Sequence, residues 1–281
     1  MSKAGIILLA AAAAALAGAA RALEMIEPAD PVPGHPGVTY LDLVRQAAPD
    51  LKPNDAAHDV EGHPTGTYRH IAGKVYQAEP PDPLVLGFIQ DRRITVGGKR
   101  RIVILADLGQ DEESVQSTAL VLLFDDAPKP RLLDVADVSI DKDTEFAPDV
   151  GKPMLGPGDE AIVTYSEHLD ASLAMGGYVL ISPIGDRLRL IGLANVTSIK
   201  SCGWDRIESP KITVQPDPGH AHPRVQLTVR VKTTHTEGDC GEPIPRAGTR
   251  DFTARYRWNN AAGRYDTESS QFKALDALNG L

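Results

Sequence analysis

His220 and His222 are separated by one alanine, and on an extended strand their rings would point the same way and offer two ligands to a transition metal. A zinc or copper site wants three or four convergent ligands, and His235 is the next histidine along the chain. Residues 224–232 lie between and alternate apolar and polar as a strand does. His222 and His235 are therefore expected about 40 Å apart, at opposite ends of that strand. His58, His63 and His70 form a second group beside Asp59 and Glu61, at a spacing that matches no ligand pattern. Asp137, Asp141, Asp143 and Glu145 offer oxygens at alternate positions, as calcium loops do. Such loops also need a glycine at the sharp turn and a distal bidentate acid; the glycine is missing, and Lys142 lowers the local negative charge. No metal site and no cofactor is expected.

Covalent and acid–base chemistry has equally little to stand on. The chain has no Gly-x-Ser-x-Gly elbow, no His-Glu-x-x-His, no Walker-type loop and no Gly-x-Gly-x-x-Gly between strand and helix. Ser166-Glu167-His168 sets suggestive side chains next to one another, but triads are assembled by folding rather than by adjacency. A carboxylate pair could be drawn from 38 acidic residues, so the sequence selects none. No catalytic residue is assigned, and the reading leans away from an enzyme.

The cysteines carry the one specific expectation. Cys202 in Ser201-Cys202-Gly203-Trp204 and Cys240 in Gly238-Asp239-Cys240-Gly241 are the only two, each beside glycine in a turn-like segment. In an oxidising compartment such a pair is expected to form a disulfide. Closing that loop would stabilise the fold by about 4 kcal/mol in the chain-entropy picture. Trp204 would pack on the bridge.

The compartment follows from the N-terminus. Lys3 gives a positive start, an apolar run extends from Ile6 to Ala20, and Ala20-Arg21-Ala22 places small residues where a signal peptidase cuts. The run is alanine-rich and short of the roughly 20 residues that span a bilayer. Residues 1–22 thus read as a cleaved signal peptide, and the product as periplasmic or secreted with no membrane span. Cleavage removes Lys3 and Arg21 from 29 basic residues, leaving 27 against 38 acidic ones, a net charge near −11. That balance argues against nucleic acid and anionic lipid as main partners, since both need clustered positive charge.

Residues 23–38 form an extended Pro-rich leader with Pro28, Pro31, Pro33 and Pro36, and residues 39–281 read as one β-rich domain. Thr39 is placed to cap a short helix over 40–51, with Leu41, Val44, Ala48 and Leu51 at helical spacing and Pro53 beyond. From residue 84 the texture is that of strands. Arg101–Ala106 and Thr118–Phe124 are continuous apolar runs, whereas Val225–Lys232 and Phe252–Trp258 alternate strictly. In the second of these, Tyr256 and Trp258 face the core while Arg255 and Arg257 face out. Three stretches beginning near Ile102, Ala161 and Val225 share a layout of strand, long connection, strand, tight turn and strand. The fold class is therefore all-β, built of repeated antiparallel β-meanders in a propeller-like or β-sandwich arrangement, with short N- and C-terminal helices. The second helix is expected after a Ser269 or Ser270 cap, with Phe272, Leu275 and Leu278 as its apolar stripe and Gly280 as its stop. It would seal a sheet edge, against the 40–51 helix. Function reads by default as a non-catalytic binding or interaction module of the cell envelope, its ligand and partner unspecified. The alternatives are a secreted hydrolase with a loop-built site and a periplasmic metal-binding protein.

Overall fold

The structure is a computed structural model, and it describes residues 26–54, 59–62, 68–73, 84–109, 117–148, 150–170, 172–238 and 243–281. Residues 1–22, read from sequence as a signal peptide, and His58, His63 and Cys240 lie outside the described residues. The fold is all-β as expected, with antiparallel sheets and two short helices.

Helix α1 (Tyr40–Val44) begins where the sequence places it. Thr39 accepts from the Asp42 backbone N–H, and the Asp42 carboxylate accepts in return from Thr39 N–H. It ends earlier than the apolar spacing predicts. Gln46 N–H and Ala47 N–H turn back to Leu43 and Val44 carbonyls, tightening the chain into turns. The Gln46 side chain leaves the helix to bridge the Pro130 carbonyl and Leu132 N–H.

The first large sheet has five strands: β1 (Arg69–His70), β2 (Phe88–Val96), β3 (Lys99–Asp107), β4 (Ala119–Asp125) and β5 (Leu132–Asp137), in the spatial order β1-β5-β4-β3-β2. Only the β1–β5 pairing is parallel. Gly97 and Gly98 make the β2–β3 hairpin with φ of 56° and 72°, the positive values a two-residue hairpin turn requires. The continuous apolar runs are explained by burial on both faces. Ile102, Ile104, Leu120, Leu122 and Phe124 face α1 and the segment before it. Val103, Leu105, Val121 and Leu123 face the second sheet, against Phe146, Ile162, Val179 and Ile181. A small sheet of Lys52–Asn54, Asp59–Gly62 and Leu84–Val85 is formed by the chain leading into β2.

The second large sheet has eight strands: β6 (Glu145–Phe146), β7 (Ile162–Asp170), β8 (Leu173–Ser182), β9 (Arg189–Ser201), β10 (Trp204–Gln215), β11 (Arg224–His235), β12 (Gly248–Asn259) and β13 (Arg264–Ser270). Spatial order follows chain order throughout, from β6 at one edge to β13 at the other. Of the three similar stretches, the first lies in the five-stranded sheet and the other two are successive parts of this meander. Its inner face holds Val225, Leu227, Val229, Phe252, Ala254, Tyr256 and Trp258, as the alternation predicts.

Helix α2 (Phe272–Asn279) starts one position later than expected. Ser269 and Ser270 belong to β13, Gln271 is the N-cap residue, and Ser270 Oγ accepts from Phe272 N–H at 3.1 Å. Gly280 ends the helix in the left-handed conformation with φ 77°. Phe272 and Leu275 are buried against the eight-stranded sheet while Leu278 is 43% exposed. The two helices do not pair: α1 covers the five-stranded sheet and α2 lies against β9 and β12.

Candidate functional site

Two places gather polar chemistry, and they differ in what their side chains are free to do. The first is a groove of about 610 Å³ where edge strands β1 and β13 meet the start of β9. Arg69, Arg187, Arg189 and Arg264 line it, together with Asp266. Leu188, Ile191 and Tyr265 form the buried apolar part of its wall. Tight turns set two of these arginine positions. Gly185 and Asp186, with φ of 68° and 58°, swing the chain into β9, and Asp186 is clamped by Arg101 Nε and Nη2 at 2.7 and 2.8 Å. The Asn259–Gly263 turn likewise delivers Arg264, with Asn259 Oδ1 accepting from the Ala261 and Ala262 amides.

The arginines are not equivalent. Arg69 donates to Asp134 at 2.7 Å and to the Leu188 carbonyl, and Arg187 reaches the same carboxylate at 3.3 Å. Asp134 is buried behind them and also takes Leu188 N–H at 2.7 Å, so it locks β5 to the start of β9. Arg69 Nη1 is buried without a hydrogen-bond partner among the described residues. Arg264 is tied to Asp266 at 3.0 Å; Asn259 and Arg264 together hold that carboxyl below its usual range. Arg189 is half-buried and has no acidic partner among the described residues. Positive charge in the groove is thus least compensated at Arg189.

The second place is a buried polar cluster where β3, β4 and β5 end against β7. Asp107 accepts from Gly109 N–H at 2.7 Å and Thr144 N–H at 3.3 Å. Asp137 accepts from Ser139 N–H and Oγ and from Ala119 N–H. His70 takes Ala72 N–H at Nδ1, so Nε2 is the donor to the Ser139 carbonyl at 2.9 Å. Ser166 Oγ lies 2.7 Å from Thr144 Oγ1 and accepts from Ile140 N–H. Burial pushes the Asp107 carboxyl up to about 6 against the pull of its two amide donors, and raises Asp137 as well. Ser139, Thr144 and Ser166 have no exposed surface. Their hydroxyls are engaged inside the protein, so the cluster stitches the two sheets together.

The residues singled out from sequence fall as follows. His168 does not form a triad with Ser166; it pairs with Asp141 at 2.7 Å and is 30% exposed. Asp143 makes the turn in the acidic run at φ 42°, taking the backbone conformation for which a calcium loop uses glycine. His220 Nδ1 accompanies the Trp258 carbonyl at 3.2 Å, while the His222 ring stands edge-on to Trp258 with centroids 4.4 Å apart. His235, at the far end of β11, bonds the Pro245 carbonyl. Among the described residues no three His, Cys, Asp or Glu side chains gather as metal ligands. Cys202 sits in the β9–β10 turn, and a methyl group on Gly238 would lie 3.0 Å from its Sγ. Trp204 lines a separate cavity of about 440 Å³ with Arg246 and Arg250. No described helix is long and apolar enough to cross a membrane. Comparisons with protein-family models, curated proteins and solved structures return no match to this chain.

Sequence reasoning missed the groove because its arginines come from three distant segments. The available signal was local: Arg187 and Arg189 share a face just past one turn, and Arg264 follows another. The acidic net charge pointed away from it, since a whole-chain sum hides a local patch.

Proposed function

We propose that this chain is an exported, non-catalytic binding protein of the cell envelope, and that its ligand sits in the arginine-lined groove. Export rests on the N-terminal sequence, and a Cys202–Cys240 disulfide accords with it. The closeness of Gly238 to Cys202 Sγ supports that pairing, because Cys240 follows two residues later. The observation that carries the binding reading is Arg189, half-buried in a concave site and unpaired by acid among the described residues. A guanidinium taken partly out of water costs free energy unless something pairs with it. Ligand sites commonly join such a fixed polar group to an apolar wall, here Leu188, Ile191 and Tyr265.

A secreted hydrolase has one observation in its favour, the Asp141–His168 pair. Against it, Ser166 and Ser139 are fully buried and hydrogen-bonded, which leaves neither hydroxyl at hand as a nucleophile.

Native mass spectrometry of protein isolated from the periplasm, without added metal or reductant, tests the binding reading. The expected mass begins near Leu23, is two hydrogens lighter than the reduced chain, and carries a small-molecule adduct that Arg189→Glu abolishes. A bound metal ion in place of that adduct, or an adduct retained by Arg189→Glu, would refute it.

A further inference from the structure

We infer that the groove recognises an oxyanion, a carboxylate or phosphate carried on a larger organic body, with Arg189 as its anchor and Arg264 beside it. This rests on the groove being the binding site and adds the chemical class of what it holds. Four guanidinium groups line the groove, and the two nearby carboxylates are unevenly spent on them. Asp134 backs Arg69 and Arg187 from the protein side, fixing their planes, while Asp266 is shared between Arg264 and Asn259. Among the described residues Arg189 has neither kind of support, and its Nη1 reaches toward the β12–β13 turn, 3.6 Å from where a Cβ on Gly263 would be. Arg69 Nη1 adds a buried donor that none of the described residues uses. A rigid guanidinium presents paired donors that match the two oxygens of a carboxylate or phosphate.

The alternatives fit this wall poorly. A cation would face four like charges. A neutral ligand would displace water from Arg189 and leave the charge unpaired. A nucleic acid strand or an anionic bilayer meets a chain with a formal net charge of −9, which repels an extended polyanion but not a small anion entering a cationic recess. At about 610 Å³ the groove is much larger than a lone oxyanion, and Ile71, Leu190 and Ile191 give the remainder of a ligand an apolar surface.

Calorimetric titration of the mature chain at low ionic strength tests the class, using citrate, inorganic phosphate and uncharged glucose as probes. Citrate, phosphate or both should bind, and Arg189→Gln should weaken that binding about tenfold or more, as expected for losing a charge-assisted hydrogen bond. Arg131→Gln, which alters a side chain 81% exposed and paired with Asp125, should leave it unchanged. Phosphate without citrate would mark a phosphorylated ligand, and citrate without phosphate a polycarboxylate. Anion binding that survives Arg189→Gln overturns the inference. Glucose binding without either anion overturns the oxyanion class yet leaves the groove as a binding site. Binding of none of the three, in protein that also carries no adduct from the periplasm, removes both.

Discussion

Replacing Glu208 with alanine should destabilise the fold by about 3–5 kcal/mol, the range for leaving one member of a buried ion pair behind. The Glu208 side chain has no exposed surface, and Arg206, two residues earlier on the same face of β10, is 10% exposed. Arg206 Nε and Glu208 Oε1 face each other as an ion pair at 3.6 Å, and among the described residues neither atom has a hydrogen-bond partner. The other carboxylate oxygen accepts from Thr197 N–H on β9 and from Asn279 Nδ2 at the end of α2, each at 3.0 Å. Arg206 in turn donates to Asn279 Oδ1 at 3.1 Å and approaches the Leu278 carbonyl at the helix C-terminus, where positive charge is favoured. Truncation therefore orphans a buried cation, a backbone amide and the helix latch together. Urea unfolding should show a lower midpoint with an unchanged slope for Glu208→Ala. The double change Arg206→Met with Glu208→Leu should recover most of the loss, because removing both charges removes the uncompensated one. A midpoint that does not move would mean that the pair contributes nothing to folding.

The second large effect is on pH. In the unfolded chain Asp107 titrates at about 3.9, whereas in the folded protein burial raises it to about 6. Between those values the unfolded chain has lost the proton and the folded protein still holds it. Stability accordingly falls as pH rises through that window and levels off above it, by about 3 kcal/mol for this group. Asp137 is shifted in the same direction by its own burial, against the hydrogen bonds it accepts from the Ser139 amide and hydroxyl. Asp42, Asp217, Asp251 and Asp266 are shifted downward, so their stabilisation is lost only as pH drops below the ordinary carboxylate range. Asp107→Asn should flatten the midpoint-versus-pH curve between about pH 4 and 6. Parallel curves for the two proteins would show that Asp107 ionises as readily folded as unfolded.

Much of the fold was legible because its determinants are local. The Gly97-Gly98 turn, the strict alternation in β11 and β12, and the Thr39 cap each act within a few residues. The misses have physical causes of the opposite kind. β10 carries Pro210 and four charged residues among Trp204–Gln215, so it lacks the apolar alternation of a strand. It is held as a strand by pairing along its whole length with β11, whereas β9 pairs with it only from Trp204 to Ile207. Pro210 thus sits where one side of the ladder is open, the kind of edge position that tolerates a residue without an N–H. Helix α1 falls short of its apolar spacing because Gln46 finds partners on the strand beneath it. The polar cluster was visible as separate residues, Asp137 and His70, without any sign that folding would bury them. The groove was visible only as scattered arginines beside turns, since its four arginines span residues 69 to 264 and meet only in three dimensions.

Arginine modification with a dicarbonyl reagent, read peptide by peptide, tests most directly whether the groove is occupied. Protein taken straight from the periplasm should be compared with the same protein unfolded, dialysed and refolded. Arg189 should react more slowly in the freshly isolated sample, with Arg264 following it, while exposed Arg131 reacts equally in both. Equal reactivity of Arg189 in the two samples, or protection confined to arginines outside the groove, would contradict the groove as the binding site.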